Sequence, residues 1–125
     1  MPPALPSYDR NNIFARILRG EIPCKKVFEN EHALAFHDIN PQAPAHVLVI
    51  PKGAYVSSQD FAEQASDAEI GAFMRAVARV AKQLGVVESG YRVISNCGPD
   101  SHQEVPHYHV HILGGQPIGK MVHLP

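Results

Sequence analysis

At 125 residues the chain can bury one modest hydrophobic core and is too short for two ordinary domains. Apolar residues make up 45% and charged residues 18%, a balance that excludes a disordered tail or a coiled coil and describes a globular domain. A formal net charge of -1 gives no basic face for nucleic acid or for an anionic membrane surface, so a small-molecule partner is the default.

The opening Met1-Pro2-Pro3-Ala4-Leu5-Pro6 has neither the basic start nor the apolar run of a signal peptide, and no later stretch reaches the length of a membrane span. A cytoplasmic protein with no membrane segment is expected, with residues 1–11 as a flexible arm and residues 12–125 as a single domain. Ile13, Phe14, Ile17 and Leu18 fall on one helical stripe ending at Gly20, which predicts a short amphipathic helix. Lys26–Glu29 and Ala33–His37 then read as two strands of a hairpin turning at Asn30-Glu31. Pro41-Gln42-Ala43-Pro44 must be a loop, because each proline removes a donor and biases its predecessor away from helix.

His46-Val47-Leu48-Val49-Ile50 is a near-continuous apolar strand ended by Pro51, which predicts a central strand covered on both faces. Ser66-Asp67-Ala68-Glu69 is a capping box, and Ile70, Phe73, Met74, Val77, Val80, Ala81 and Leu84 recur at helical spacing up to Gly85. Tyr91–Ser95 and His107–Leu113 read as strands separated by a polar loop. Two helices, one short and one long, are too few to cross over a doubly wound parallel sheet. The order therefore predicts an α+β fold with a mainly antiparallel sheet. Cys24 and Cys97 are expected to be free thiols, as in most cytoplasmic chains.

Eight histidines are present, three of them alternating. On an extended chain His107, His109 and His111 share one face at about 6.6 Å intervals, with Tyr108, Val110 and Ile112 on the other. Imidazole changes charge near neutral pH and is a competent nucleophile toward phosphorus. A neutral ring can attack while a neighbour bonds a phosphoryl oxygen whose charge rises in the transition state. The outer two rings lie too far apart to act on one atom, so His109 is the natural nucleophile. Two other uses of such a row stand beside this one: a purely structural set of polar residues, or a metal site in which His46 supplies a fourth nitrogen.

The segment His107-Tyr108-His109-Val110-His111-Ile112-Leu113 resembles the signature of the histidine triad superfamily. Phe36-His37-Asp38-Ile39, Pro41-Gln42-Ala43-Pro44-Ala45-His46, Val49-Ile50-Pro51-Lys52, Asn96 and Leu113-Gly114-Gly115 extend the resemblance to the Hint branch, from about Asn12 onward. That resemblance implies a homodimeric nucleotide hydrolase or transferase that cleaves the P–N bond of purine nucleoside phosphoramidates, such as AMP joined to an amine. It implies a nucleotidyl-His109 intermediate, with His111 bonding the phosphoryl group and leaving atom, and His107 and His46 orienting the row. It further implies a nucleotide-binding set: Asp38 toward the ribose, Ile22, Phe36 and Ile39 around the base, and His37, Asn96, Gln103 and Glu104 nearby.

No cofactor is implied. The Cys-x-x-Cys pair that binds zinc in some relatives is replaced by Asn12 and Ala15, which argues against structural zinc. Ser101-His102 stands where many relatives carry two glycines, and Glu104 where animal relatives carry serine, with His102 as a partner for that carboxylate. Other branches imply hydrolysis of dinucleoside polyphosphates or adenylylated intermediates, and a nucleotide-binding or partner-binding module is the alternative of a different class.

Overall fold

The computed structural model describes residues 7–122. Asn12 opens the first helix by accepting the Ala15 N–H on its side chain at 2.9 Å, which satisfies one of the amides that a helix start leaves unpaired. That helix, α1 (Ile13–Leu18), buries Phe14 and Ala15. The predicted hairpin follows as β1 (Lys26–Glu29) and β2 (Ala33–His37). Its turn is held by the Asn30 side chain, which accepts the N–H groups of His32 and Ala33, each at 2.9 Å.

The apolar run becomes β3 (Ala45–Pro51), buried along almost its whole length. Next comes α2 (Ser58–Gln64), a helix that periodicity did not predict. Its seven residues bury only Phe61, so no apolar stripe announces it, although Ser57 caps it. The long helix α3 (Asp67–Gln83) carries the expected capping box in full, with Ser66 and Glu69 bonding each other's main-chain amides. The last strands are β4 (Tyr91–Ile94) and β5 (Val110–Gly114), with a short 3-10 turn at Pro99–Ser101 between them.

The strands form one five-stranded sheet in the order β1-β2-β3-β5-β4, each neighbouring pair antiparallel. The α+β fold with an antiparallel sheet and a central β3 is thus as expected. Alternation divides the core in two. Ala33, Ala35, Val47, Val49, Val110 and Ile112 meet Phe73, Ala76, Val77 and Val80 of α3 on one face. Leu34, Phe36, Leu48 and Ile50 meet Phe14 on the other. Truncating Phe73, 1% exposed, to alanine would cost about 3–5 kcal/mol through lost burial and an unfilled cavity.

The last strand starts later than the alternating pattern suggested, at Val110 rather than His107. The reason is local. The Pro51 carbonyl is bonded by the His107 ring rather than by a main-chain amide, and the Tyr108 N–H turns to the Tyr55 carbonyl at 2.8 Å. At the other end of β5, Gly115 adopts φ 89° with Pro44 packed against it, where a β-carbon would stand only 3.0 Å from the proline Cβ. Among the described residues no helix is long and apolar enough to cross a membrane. Residues 1–6 of the expected arm and residues 123–125 of the tail lie outside the described residues. Within that arm, Tyr8 lies against the fold, its ring edge-on to His107.

Candidate active site

Four histidines meet on the face of the sheet that carries α1. β3 supplies His46, β5 supplies His111, and the extended lead-in to β5 supplies His107 and His109. Register explains the meeting: Leu48 faces His111 and His46 faces Leu113, so His46 and His111 are diagonal neighbours on one face. Their rings lie 5.2 Å apart, as do those of His109 and His111.

Hydrogen-bond partners assign the tautomer of each ring, because a carbonyl can only accept and an amide N–H can only donate. His109 places Nδ1 at 2.7 Å from the His107 carbonyl, so its proton sits on Nδ1 and Nε2 keeps a free lone pair. His107 gives its Nε2–H to the Pro51 carbonyl at 2.9 Å. Its Nδ1 therefore accepts from the Tyr8 hydroxyl at 2.5 Å. His46 accepts the Gln42 main-chain N–H on Nδ1 at 3.0 Å, which puts its proton on Nε2. That proton points at Nδ1 of His111, 2.9 Å away, and leaves His111 with a proton on Nε2. The sheet thus presents one ring with an outward lone pair beside one with an outward N–H.

Electrostatics favour the neutral forms. His107 is fully buried, and burial together with the neighbouring His109 pushes its pKa down to about 4. Burial lowers His111 to about 4 as well, helped by His109 and His46 and opposed by Asp38 and Glu104. His109 and His46 are also lowered by burial, each opposed in part by Asp38. Uncharged imidazoles at neutral pH are the result.

Phe14 packs edge-on against His109 with ring centroids 5.0 Å apart, and the Ser95 hydroxyl bonds the His109 carbonyl at 3.0 Å. Neither residue stood out in the sequence. Phe14 reads as a helix-core residue, and Ser95 as the end of a strand. Asp38 is drawn to the histidines, with Oδ2 at 3.4 Å from His46 Nε2, while Oδ1 accepts the Asn40 N–H in a tight turn. Asp38, His46 and His111 bring their ligand atoms within 4.8 Å of one another, close enough for a divalent cation. The 2.9 Å between the two histidines is a hydrogen-bond distance, and an ion there would have to displace the proton they share.

The remaining residues of the expected nucleotide set scatter. Phe36 is core, edge-on to Phe14 at 5.6 Å, whereas Ile39 is 98% exposed and His37 also faces solvent. Ile22 and Asn96 are half-buried. Gln103 is a loop clamp: its amide donates to the carbonyls of Val56 and Val105 and accepts from the Gly98 N–H. His102 contacts the Glu104 carboxylate at 3.0 Å, but both side chains are exposed, so the pair contributes little stability. His102 also sits at φ 62°, a left-handed conformation that glycine adopts without strain.

An antiparallel α+β sheet bearing a row of neutral imidazoles with one outward lone pair defines a protein of the histidine-triad type. A family model described as the HIT domain matches residues 19–118. The chain is 64% identical over 116 residues to an uncharacterised 13.2 kDa HIT-like protein of Azospirillum brasilense, covering 93% of this chain and 95% of that one. It is 41% identical over 110 residues to the purine nucleoside phosphoramidase of Escherichia coli strain K12, covering 88% and 92%. Among solved structures, a histidine triad protein from Clostridium difficile superposes with a TM-score of 0.78 at 42% identity, covering 88% of this chain and 95% of that one. A HIT family hydrolase from Legionella pneumophila also gives 0.78, at 38% identity over 87% and 96%. The chain belongs to the HIT domain family.

Proposed function

We propose that the protein is a nucleotide hydrolase that cleaves the P–N bond of purine nucleoside phosphoramidates through a nucleotidyl-His109 intermediate. The observation that carries this reading is the His109 tautomer, with Nδ1–H held on the His107 carbonyl and the Nε2 lone pair free. The phosphoramidase relative at 41% identity supports the substrate class.

In the proposed reaction the anionic phosphoryl group, on binding, raises the proton affinity of His111, which takes up a proton at Nδ1 from solvent as the His46 Nε2–H shifts from that nitrogen to the Asp38 carboxylate, 3.4 Å away. His109 Nε2 attacks phosphorus, the P–N bond breaks, and the His111 Nε2 proton goes to the departing amine. Water next attacks phosphorus, the bond to His109 breaks, and a proton from the water returns to His111. His46, fixed by the Gln42 amide, orients the neutral His111 ring before that proton arrives. Asp38 is assigned to the ribose hydroxyls and Ile22, Phe36 and Ile39 to the base. His37, Asn96, Gln103 and Glu104 are assigned to the rim, Gln103 by holding its loop. A homodimer is part of the proposal, supported by exposed Tyr91 and Val93 on the edge strand β4 and exposed Met74 on α3. Sedimentation that returned only monomer would remove it.

The test is hydrolysis of a fluorogenic adenosine phosphoramidate. Wild type is expected to turn over with or without EDTA, and His109→Ala to lose about a thousandfold or more in kcat. Retained turnover in the variant would remove His109 as nucleophile. Turnover confined to dinucleoside polyphosphates would move the substrate class, and nucleotide binding with no turnover at all would make the protein a binding module.

A further inference from the structure

Tyr8 lies outside every element of the fold, yet its hydroxyl reaches a ring 99 positions away in the chain. It sits 2.5 Å from His107 Nδ1, with the two rings edge-on at 5.5 Å. The segment carrying it is fastened to both caps of α1. The Asp9 carbonyl accepts from the Asn12 side chain at 2.7 Å, and the Arg10 carbonyl from Arg19 at 2.7 Å. Asn12 is itself buried and caps α1. One buried asparagine therefore both starts the helix and sets the height at which Tyr8 meets the histidines.

With Tyr8 in place His107 has no solvent exposure, so the Tyr8 hydroxyl and not solvent is the partner of its Nδ1. Its Nε2–H is committed to the Pro51 carbonyl at the end of β3. The ring is thus gripped from two sides, by the sheet and by the N-terminal segment. Its main-chain carbonyl is the group that holds the proton of His109 on Nδ1. Because β5 starts only at Val110, no ladder bond fixes that carbonyl. It depends on the His107 ring and on the Tyr108 N–H bond to the Tyr55 carbonyl.

We propose that Tyr8 is a positioning residue for catalysis: by donating to His107 it keeps the His107 carbonyl on His109 Nδ1, and so keeps His109 in the tautomer whose Nε2 can attack. The inference rests on His109 being the nucleophile. The N-terminal segment then belongs to the active site although it touches no substrate. Phe14, edge-on to both His107 and His109, shapes the wall but offers no donor that could take over from Tyr8.

Tyr8→Phe removes the hydroxyl and retains the ring edge. Two-bond proton–nitrogen NMR of histidine-labelled protein, without substrate, reads the tautomers directly. Wild type is expected to show His107 protonated only on Nε2 and His109 only on Nδ1. In Tyr8→Phe, His109 is expected to become a mixture, with kcat on the adenosine phosphoramidate down about ten-fold and KM within about two-fold, the loss of one buried hydrogen bond's effect on the attacking ring. A variant that keeps a single His109 tautomer and wild-type kcat overturns the proposal. So does a wild-type spectrum with His107 protonated on Nδ1, which needs no variant to fold. Wild type without phosphoramidate turnover would sink the assigned reaction and leave both spectra to decide the role of Tyr8.

Discussion

Charging His107 is costly, because its ring has left water entirely and already spends both nitrogens on neutral partners. Its pKa of about 4 lies below the value of about 6.5 that it regains on unfolding. Between those two pH values the unfolded chain holds more protons than the folded one, so stability falls as pH falls. This group alone would remove about 3 kcal/mol across that window. His111, also held near 4, acts in the same direction, with a smaller effect because it is only partly buried. Urea midpoints are therefore expected to drop steadily from pH 7 to pH 4, and a midpoint that held or rose would contradict the buried neutral row. The row itself was legible from residues 107–111, since alternation alone puts three rings on one side. Which nitrogen of each ring carries the proton was not. Pro51, Gln42 and Tyr8 decide it, and their spacing from the histidines follows no period.

Elements were legible where a period or a turn residue marked them. The Ser66 capping box and the spacing of Phe73, Val77 and Val80 placed α3, and Asn30 placed the hairpin. The seven residues of α2 were not legible, because a single buried Phe61 makes no stripe. Length along β5 was misread for a different reason: alternation reports direction, whereas a strand also needs a partner, and beyond Val110 the partner groups are bonded elsewhere. The far end of β5 matters equally, because Gly115 at φ 89° lets Pro44 close against the strand beside Ala45. Gly115→Ala would impose backbone strain of about 1 kcal/mol, plus crowding against Pro44. At about 4 °C per kcal/mol a clear fall in Tm is expected, with loss of turnover as the His46 strand shifts against the His111 strand. Thermal melts and initial rates on the same preparation check both, and an unchanged Tm would mean the loop yields freely.

At the scale of the molecule, strand order does the assembling. His46 and His111 are 65 positions apart in the chain, and they meet because β3 and β5 are neighbours at the middle of the sheet. An antiparallel α+β sheet was foreseeable from the count of helices, but the insertion of β5 between β3 and β4 was not, since nothing in the residues of a strand names its partner. The sheet also divides the protein into parts of unequal durability. His111–Gly114 is stitched on both sides, to β3 and β4, while His107–His109 lies beyond the last rung, held by the two ring bonds to carbonyls and by the Tyr108 N–H bond to Tyr55. Segments held that way open locally at lower free energy than the sheet they adjoin. Rising urea is therefore expected to silence turnover before it erases the far-ultraviolet signal of the helices, and coincident curves would argue against such an opening. Working precision in this protein would then be set by three residues outside the ladder, while the bulk of the sheet merely keeps them in reach of one another.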